Sequence, residues 1–431
     1  MGVNIGEESC CRRPLPVFVA GFLSGLLWIG TPIYIGSIGM QITHIMSLLL
    51  VLSFLLGKAR LRDYQLFQME RHILLCTLCL FAAIGLILTA GILSSINALS
   101  LAEVLKFEIG YLVGLTLIIV LISSLQRDED ITFVLSCLLF GGALVVAITL
   151  SGYLVPLIGE ITLNRYGRAK AFALHPNQFG MMLAAIIPLA AANLAIDYRS
   201  IRQWLILVII STGLVISGSK TNLFISAFLC SLTLFLVGLC KQKSFQRIPS
   251  LLGAILAMVL VGIFGVFLLQ KLAPQTLISL QILWSDPEGY RSILSRREIW
   301  IAALTIVKKY PFLGIGAGNT PLLLDVRHCH NVFIEYYLTM GLLGLITLVF
   351  FILCLLFICW YVVRISRYMP FIHGTRVIGL VLGIVSYLLS NQLSDSFGPT
   401  TLPVFWVLVG VLLAQGNSWM MRLIREVERN P

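Results

Sequence analysis

Residues 331–362 read NVFIEYYLTMGLLGLITLVFFILCLLFICWYV, a run in which Glu335 is the single charged side chain. It is longer than the roughly 20 residues that cross the hydrocarbon of a bilayer, and it offers no polar face to water, as a helix on a soluble core would. The whole chain has the same character. Of 431 residues, 58% are hydrophobic and 11% charged, whereas soluble domains carry about a quarter charged residues. Further stretches of spanning length fall at 15–32, 35–57, 72–93, 104–125, 131–153, 177–196, 203–218, 222–240, 250–270, 377–394 and 402–420, so that twelve crossings are predicted. The expected fold is all-α, a polytopic transmembrane helical bundle of about 12 spans. Spans 1–9 lie within 1–270, a loop of about sixty residues with a surface helix occupies 271–330, and spans 10–12 lie within 331–431.

The net charge of +11 would raise the question of nucleic acid in a soluble chain, but no basic run is interleaved with aromatics, and nucleic-acid binding is not expected. The distribution of charge is more telling. The first apolar stretch follows Arg12 and Arg13 and lacks a small-residue cleavage site, so it reads as a retained span with the N-terminus in the cytoplasm. Counting crossings from there places eighteen Lys and Arg on the cytoplasmic side, the C-terminal Arg422, Arg425 and Arg429 among them, as the positive-inside rule requires. Eleven others fall on the far side: Arg165, Arg168 and Lys170; Lys220; and Lys271, Arg291, Arg296, Arg297, Lys308, Lys309 and Arg327. Long loops ignore the rule, but Lys220 sits in a tight turn between two spans. Cations gathered on the outer face suggest a bound anion. Lys106, inside the fourth span, is expected to pair with Glu103 along one helix face.

Three segments concentrate the polar chemistry. The first runs from Arg165 through Arg168 and Lys170 to His175-Pro176-Asn177, where Pro176 suits a helix start whose exposed N–H groups favour an anion. The second is Ser217-Gly218-Ser219-Lys220-Thr221-Asn222, in which Gly218 permits the turn and the hydroxyls can cap the next helix. The third is the long loop. Ser295-Arg296-Arg297-Glu298 has capping-box spacing, predicting a helix from Arg296 to Lys309 with Trp300, Leu304 and Val307 on one stripe. Two arginines in its first turn would oppose the helix dipole unless a phosphate binds there. Pro311-Phe-Leu-Gly314-Ile-Gly316-Ala-Gly318-Asn319 follows as a glycine-rich turn, too irregular for a nucleotide-binding loop.

The loop ends in His328-Cys329-His330-Asn331. These supply too few ligands for structural zinc, and no metal or other cofactor is expected. A neutral histidine beside phosphate-binding cations suits acid–base work on a hydroxyl, with Asn331 or Glu335 holding its tautomer. Cys76 and Cys79 form a C-x-x-C, but inside an apolar span that spacing reads as packing.

In order and spacing these pieces resemble the O-antigen ligase and O-antigen polymerase superfamily of membrane glycosyltransferases. The resemblance covers about 165 to 345 and rests on Arg168 with His175-Pro176-Asn177, on Ser217-Gly218-Ser219-Lys220, on Arg296 to Trp300 leading to Pro311–Asn319, and on His330-Asn331 followed by Gly341-Leu-Leu-Gly344. Two positions depart from the usual pattern: Lys220 stands where arginine is common, and Leu345-Ile346 where the ligase form often has Thr-Gly.

The resemblance implies a GT-C-type, inverting, metal-independent enzyme of the bacterial inner membrane, with its active site facing the periplasm. Its donor would be an undecaprenyl-diphosphate-linked glycan and its acceptor a lipid A–core sugar, or another lipid-linked glycan if the chain is a polymerase. Arg168, Lys220 and Arg296 or Arg297 would surround the diphosphate, and His330 would act on the acceptor hydroxyl. Arg165, Lys170, His175, Asn177, Arg291, Asn331 and Glu335 are the further substrate-site candidates. A twelve-span secondary transporter is the remote alternative, and it would show repeats and mid-membrane charges that the sequence lacks.

Overall fold

The computed structural model describes residues 15–28, 32–35, 38–60, 69–241, 266–267, 270–271, 274–285, 291–392, 397 and 401–429. Nearly all of them are helical. Helices α1 (Leu15–Leu26), α2 (Ile42–Arg60), α3 (Arg71–Ser94), α4 (Leu101–Ser124), α5 (Asp128–Ser151), α6 (Pro156–Thr162), α7 (Pro176–Ile196), α8 (Ile201–Ser217) and α9 (Lys220–Lys241) are followed by α10 (Pro274–Ser285), α11 (Arg291–Val307) and α12 (Thr320–Leu324), then by α13 (Val332–Ser366), α14 (Phe371–Asn391) and α15 (Leu402–Arg429).

Among the described residues, eight helices are long and apolar enough to cross a membrane, and α1, Ser47–Leu56 within α2, and α8 are shorter apolar helices. The ninth expected span, 250–270, lies almost wholly outside the described residues. The expected second span is shorter than its apolar run. Its first part pairs as an antiparallel hairpin, β1 (Pro32–Ile35) with β2 (Ile38–Gln41). Gly36 and Gly39 weaken a helix there, and Ile33, Tyr34, Ile35 and Ile38 favour extended backbone.

The bundle is built around α7, whose small residues let neighbouring helices approach closely. Lipid tails are as apolar as leucine, so helices in a membrane associate by close packing and hydrogen bonding more than by hydrophobic exclusion. Gly379 of α14 lies against Ala192 and Leu189, and Gly383, four residues on, lies against the Ala185 carbonyl. Pro188 inside α7 removes the N–H that would bond to the Ala184 carbonyl, and Ser386 Oγ of α14 donates to that oxygen at 2.9 Å.

Polar contacts gather at the two ends. At one, Asp128 pairs with Arg422 and lies 3.3 Å from His373 Nε2, while the Glu70 N–H donates to Asn417 Oδ1 at 3.0 Å. The other end carries the α3–α4 turn, the α8–α9 turn and the segments before α7 and α13. Lys106 pairs with Glu103 at 2.6 Å, as the sequence suggested. Cys76 is buried and Cys79 exposed, and both are free thiols.

Candidate active site

Two constellations occupy the second end. The first joins the segment before α7 to the α8–α9 turn. Arg168 Nε donates to the Ser217 carbonyl at 2.9 Å, and Arg168 Nη2 donates to Asn177 Oδ1 at 2.9 Å. Asn222 Nδ2 donates to the Asn177 carbonyl at 3.1 Å and to Ser219 Oγ at 2.9 Å. The Ala169 N–H bonds to the Ile216 carbonyl at 3.0 Å, fastening the strand-like segment to the end of α8. Gly218 closes the turn in the left-handed conformation at φ 62°, and Lys220 opens α9, half-buried.

His175 caps α7 by accepting the Asn177 N–H on Nδ1 at 3.1 Å. The N-termini of α7 and α9 are thereby held side by side, each contributing a positive dipole end beside Arg168 and Lys220. Two of the other candidates are more peripheral. Arg165 is exposed and stacks its guanidinium on Tyr166 at 4.7 Å, and Lys170 is half-buried with its N–H on the Thr162 carbonyl at 2.9 Å.

The second constellation is built where the long loop meets α13. Helix α11 begins at Arg291, not at Arg296, so Ser295 is an interior residue and not the N-cap. The strong breakers, Pro287 and Gly289, stand upstream of the capping-box sequence, and Arg291–Leu294 are compatible with helix. Arg296 and Arg297 therefore sit in the second turn, beyond most of the dipole penalty expected of them. Arg296 is half-buried and Arg297 exposed. The buried stripe of α11 also differs from expectation. Ala303 and Val307 are buried with Ile299, Trp300 and Ile306 against Ile315, Cys329 and Leu338, while Leu304 turns outward.

The glycine-rich turn and the Gly341-x-x-Gly344 motif are two halves of one joint. Helix α13 breaks at Gly341, with φ 64° and ψ −159°, a conformation essentially reserved for glycine. At the break the loop supplies partners for two carbonyls and two N–H groups of the helix. The Ile315 and Gly316 N–H groups bond to the Leu338 and Thr339 carbonyls at 3.0 and 2.9 Å. The Leu342 and Leu343 N–H groups bond to the Pro311 and Phe312 carbonyls at 2.8 and 3.3 Å. Gly314, Gly316 and Gly318 all have positive φ, which lets the loop follow this path. Asn319, fully buried, then ties the loop to the α3–α4 turn: its Oδ1 accepts the Ser100 N–H at 2.7 Å and its Nδ2 donates to the Ser100 carbonyl at 3.1 Å.

Held by this joint, the His328–Asn331 segment lies on the N-terminus of α13. The His328 and His330 rings meet edge to face at 4.3 Å between centroids, and the His330 N–H donates to His328 Nδ1 at 3.2 Å. Asn331 is the N-cap, its Oδ1 accepting the Phe333 and Ile334 N–H groups at 3.0 and 3.1 Å. Burial, and then the Glu335 carboxylate beside it, push the Cys329 thiol well above its ordinary range, which favours the neutral thiol.

Residues 205–349 match the O-antigen ligase family. This match bears out the resemblance to the O-antigen ligase and polymerase superfamily. It takes in the Ser217–Lys220 turn, α11, the glycine joint and His330. Arg168, His175 and Asn177 lie before the O-antigen ligase match, yet the hydrogen bonds from Arg168 to Ser217 and from Asn222 to Asn177 join them to it. No curated protein matches the chain.

Two expectations about individual side chains change. The sequence leads one to expect either Asn331 or Glu335 to hold the His330 imidazole in one tautomer. Asn331 Oδ1 is engaged by two backbone N–H groups instead. Glu335 Oε1 accepts from Thr320 Oγ1 at 2.6 Å and Oε2 from the Cys329 N–H at 2.7 Å, so both its oxygens fasten the loop. A single carboxylate spaced from a histidine in sequence cannot reveal that its partners are a backbone amide and a threonine fifteen residues upstream.

Arg168 offers a direct test of the first constellation. Lysine keeps the charge but lacks the planar fork by which Arg168 reaches Ser217 and Asn177 from two separate nitrogens. For the polyprenyl-diphosphate donor proposed below, Arg168→Lys is expected to raise the KM about tenfold, or about 1.4 kcal/mol. Steady-state kinetics on the purified protein check this.

Proposed function

We propose that this chain is a membrane glycosyltransferase that moves a glycan from an undecaprenyl-diphosphate carrier to an acceptor hydroxyl at the outer face of the bacterial inner membrane. The observation that carries the reading is the Arg168 fork, aimed by Ser217 and Asn177 between two helix N-termini within a site continuous with the O-antigen ligase match. Arrays of fixed cations and helix N-termini stabilise a diphosphate leaving group by preorganised charge.

In this mechanism Arg168, Lys220 and Arg296 neutralise the diphosphate, with Arg165, Lys170, His175, Arg291 and Arg297 around them. His330 takes the proton of the acceptor hydroxyl as its oxygen attacks the sugar C1 from the face opposite the diphosphate. The new glycosidic C–O bond forms as the C1–O bond to phosphate breaks, and the configuration at C1 inverts. The polyprenyl tail lies among the spans, and both termini of the protein are cytoplasmic. No step needs a metal ion.

Ligation to a lipid A–core acceptor is the leading form of the reaction. Polymerisation of repeat units is the second reading, favoured by Leu345-Ile346 where ligases often carry Thr-Gly. Incubating the purified protein with an undecaprenyl-diphosphate-linked oligosaccharide, with and without lipid A–core, separates them. One capped product formed only with the acceptor means ligase, a ladder from donor alone means polymerase, and no transfer under either condition defeats the proposal.

A further inference from the structure

Cys329, the residue before His330, is held at both of its backbone polar groups, in two successive peptide groups. Its carbonyl accepts from Trp300 Nε1 of α11 at 2.8 Å. On the other flank of the same residue, the Cys329 N–H donates to Glu335 Oε2 of α13 at 2.7 Å. Glu335 is itself fixed by Thr320 Oγ1 at 2.6 Å and is buried.

His330 needs such a grip. Its φ of 54° lies in the left-handed region, which costs a non-glycine residue about 1–3 kcal/mol and persists only where the surroundings over-determine it. Without the grip the backbone would relax to negative φ and swing the imidazole away. The Cys329 side chain is fully buried in the small core with Ala303, Val307, Ile315 and Leu338, which anchors the peptide from a third direction.

We infer that Glu335 and Trp300 are positioning residues that lock the backbone of His330 for glycan transfer, with Glu335 acting as a hydrogen-bond acceptor and not as an acid or base. The inference rests on the role of His330 in the proposed function. It also makes a chemical distinction. Glutamine can replace this glutamate, since its Oε1 accepts the Cys329 N–H and its Nε2 donates to Thr320 Oγ1, which accepts as readily as it donates. A carboxylate that moved protons or stabilised an imidazolium could not be replaced in that way.

The test uses the full chain in detergent or lipid nanodiscs and compares Glu335→Gln, Glu335→Ala and Trp300→Phe, the last keeping an aromatic ring in the small core while removing the N–H. Hydrogen exchange over 327–333 is read without any substrate, and turnover with an undecaprenyl-diphosphate-linked oligosaccharide and lipid A–core. Glu335→Ala and Trp300→Phe are expected to speed exchange and to lower kcat about tenfold with the donor KM unchanged, as a misplaced catalytic group does. Glu335→Gln is expected to stay within about twofold of the parent in both. A Glu335→Gln protein as slow as Glu335→Ala with exchange unaltered overturns the inference, because the carboxylate itself would then matter. Unaltered exchange and turnover in Trp300→Phe and Glu335→Ala overturn it as well. If His330→Ala turns over normally while the variants exchange faster, the catalytic role of His330 is what has failed, and positioning for transfer falls with it.

Discussion

His330→Ala is expected to lower kcat by about a hundredfold to ten-thousandfold, the range that a positioned general base contributes. The donor KM should hardly move, because in the proposed mechanism His330 meets the acceptor hydroxyl while the cations of the first constellation hold the diphosphate. Release of undecaprenyl diphosphate from a purified donor measures the loss directly. Turnover near that of the parent protein would remove His330 from the chemistry, whatever the fate of Arg168.

The second large effect belongs to Gly341→Ala. The backbone there is at φ 64° and ψ −159°, and an alanine Cβ would overlap the Phe312 carbonyl group and the Leu313 nitrogen, which are backbone and cannot step aside as a flexible side chain would. Relief requires unseating the loop. That would break the four hydrogen bonds by which Pro311, Phe312, Ile315 and Gly316 complete α13. Each is worth about 0.5–1.5 kcal/mol net, and backbone strain adds about 1–3 kcal/mol. A loss of at least about 3 kcal/mol is expected, seen as a collapse in monodisperse protein and in melting temperature after extraction. Gly85→Ala is the control. Its Cβ would meet nothing within 4 Å on the regular helix α3, so it should be neutral or slightly stabilising. Equal behaviour of the two variants would mean that the joint contributes little.

Most of the helices could be read from the sequence because a crossing is a local property: enough apolar residues in a row leave the backbone no alternative but internal hydrogen bonds. The Lys106–Glu103 pair was legible for the same reason, being fixed by helical spacing. The link between His175-Pro176-Asn177 and Ser217–Asn222 was suggested only by motif order, and the structure gives it a cause in the Arg168 and Asn222 hydrogen bonds. What escaped were features set by distant backbone. The start of α11 depended on which of two competing local signals prevailed. The hairpin at Pro32–Gln41 was hidden in an apolar run that length alone made a span. Gly341 and Gly314 were visible as glycines, but not as two sides of a contact, because neither sequence segment shows which carbonyls the other has orphaned.

The break at Gly341 has a mechanical meaning. Although α13 is one continuous piece of chain, the loop is bonded to it on both sides of the break, at Leu338 and Thr339 before Gly341 and at Leu342 and Leu343 after it. Helices in membranes tilt to match local thickness, and a rigid thirty-five-residue rod would pass that tilt directly to the histidine at its tip. A break bonded sideways into the loop spreads that load over residues 311–316 as well as along the helix axis, as a splint does.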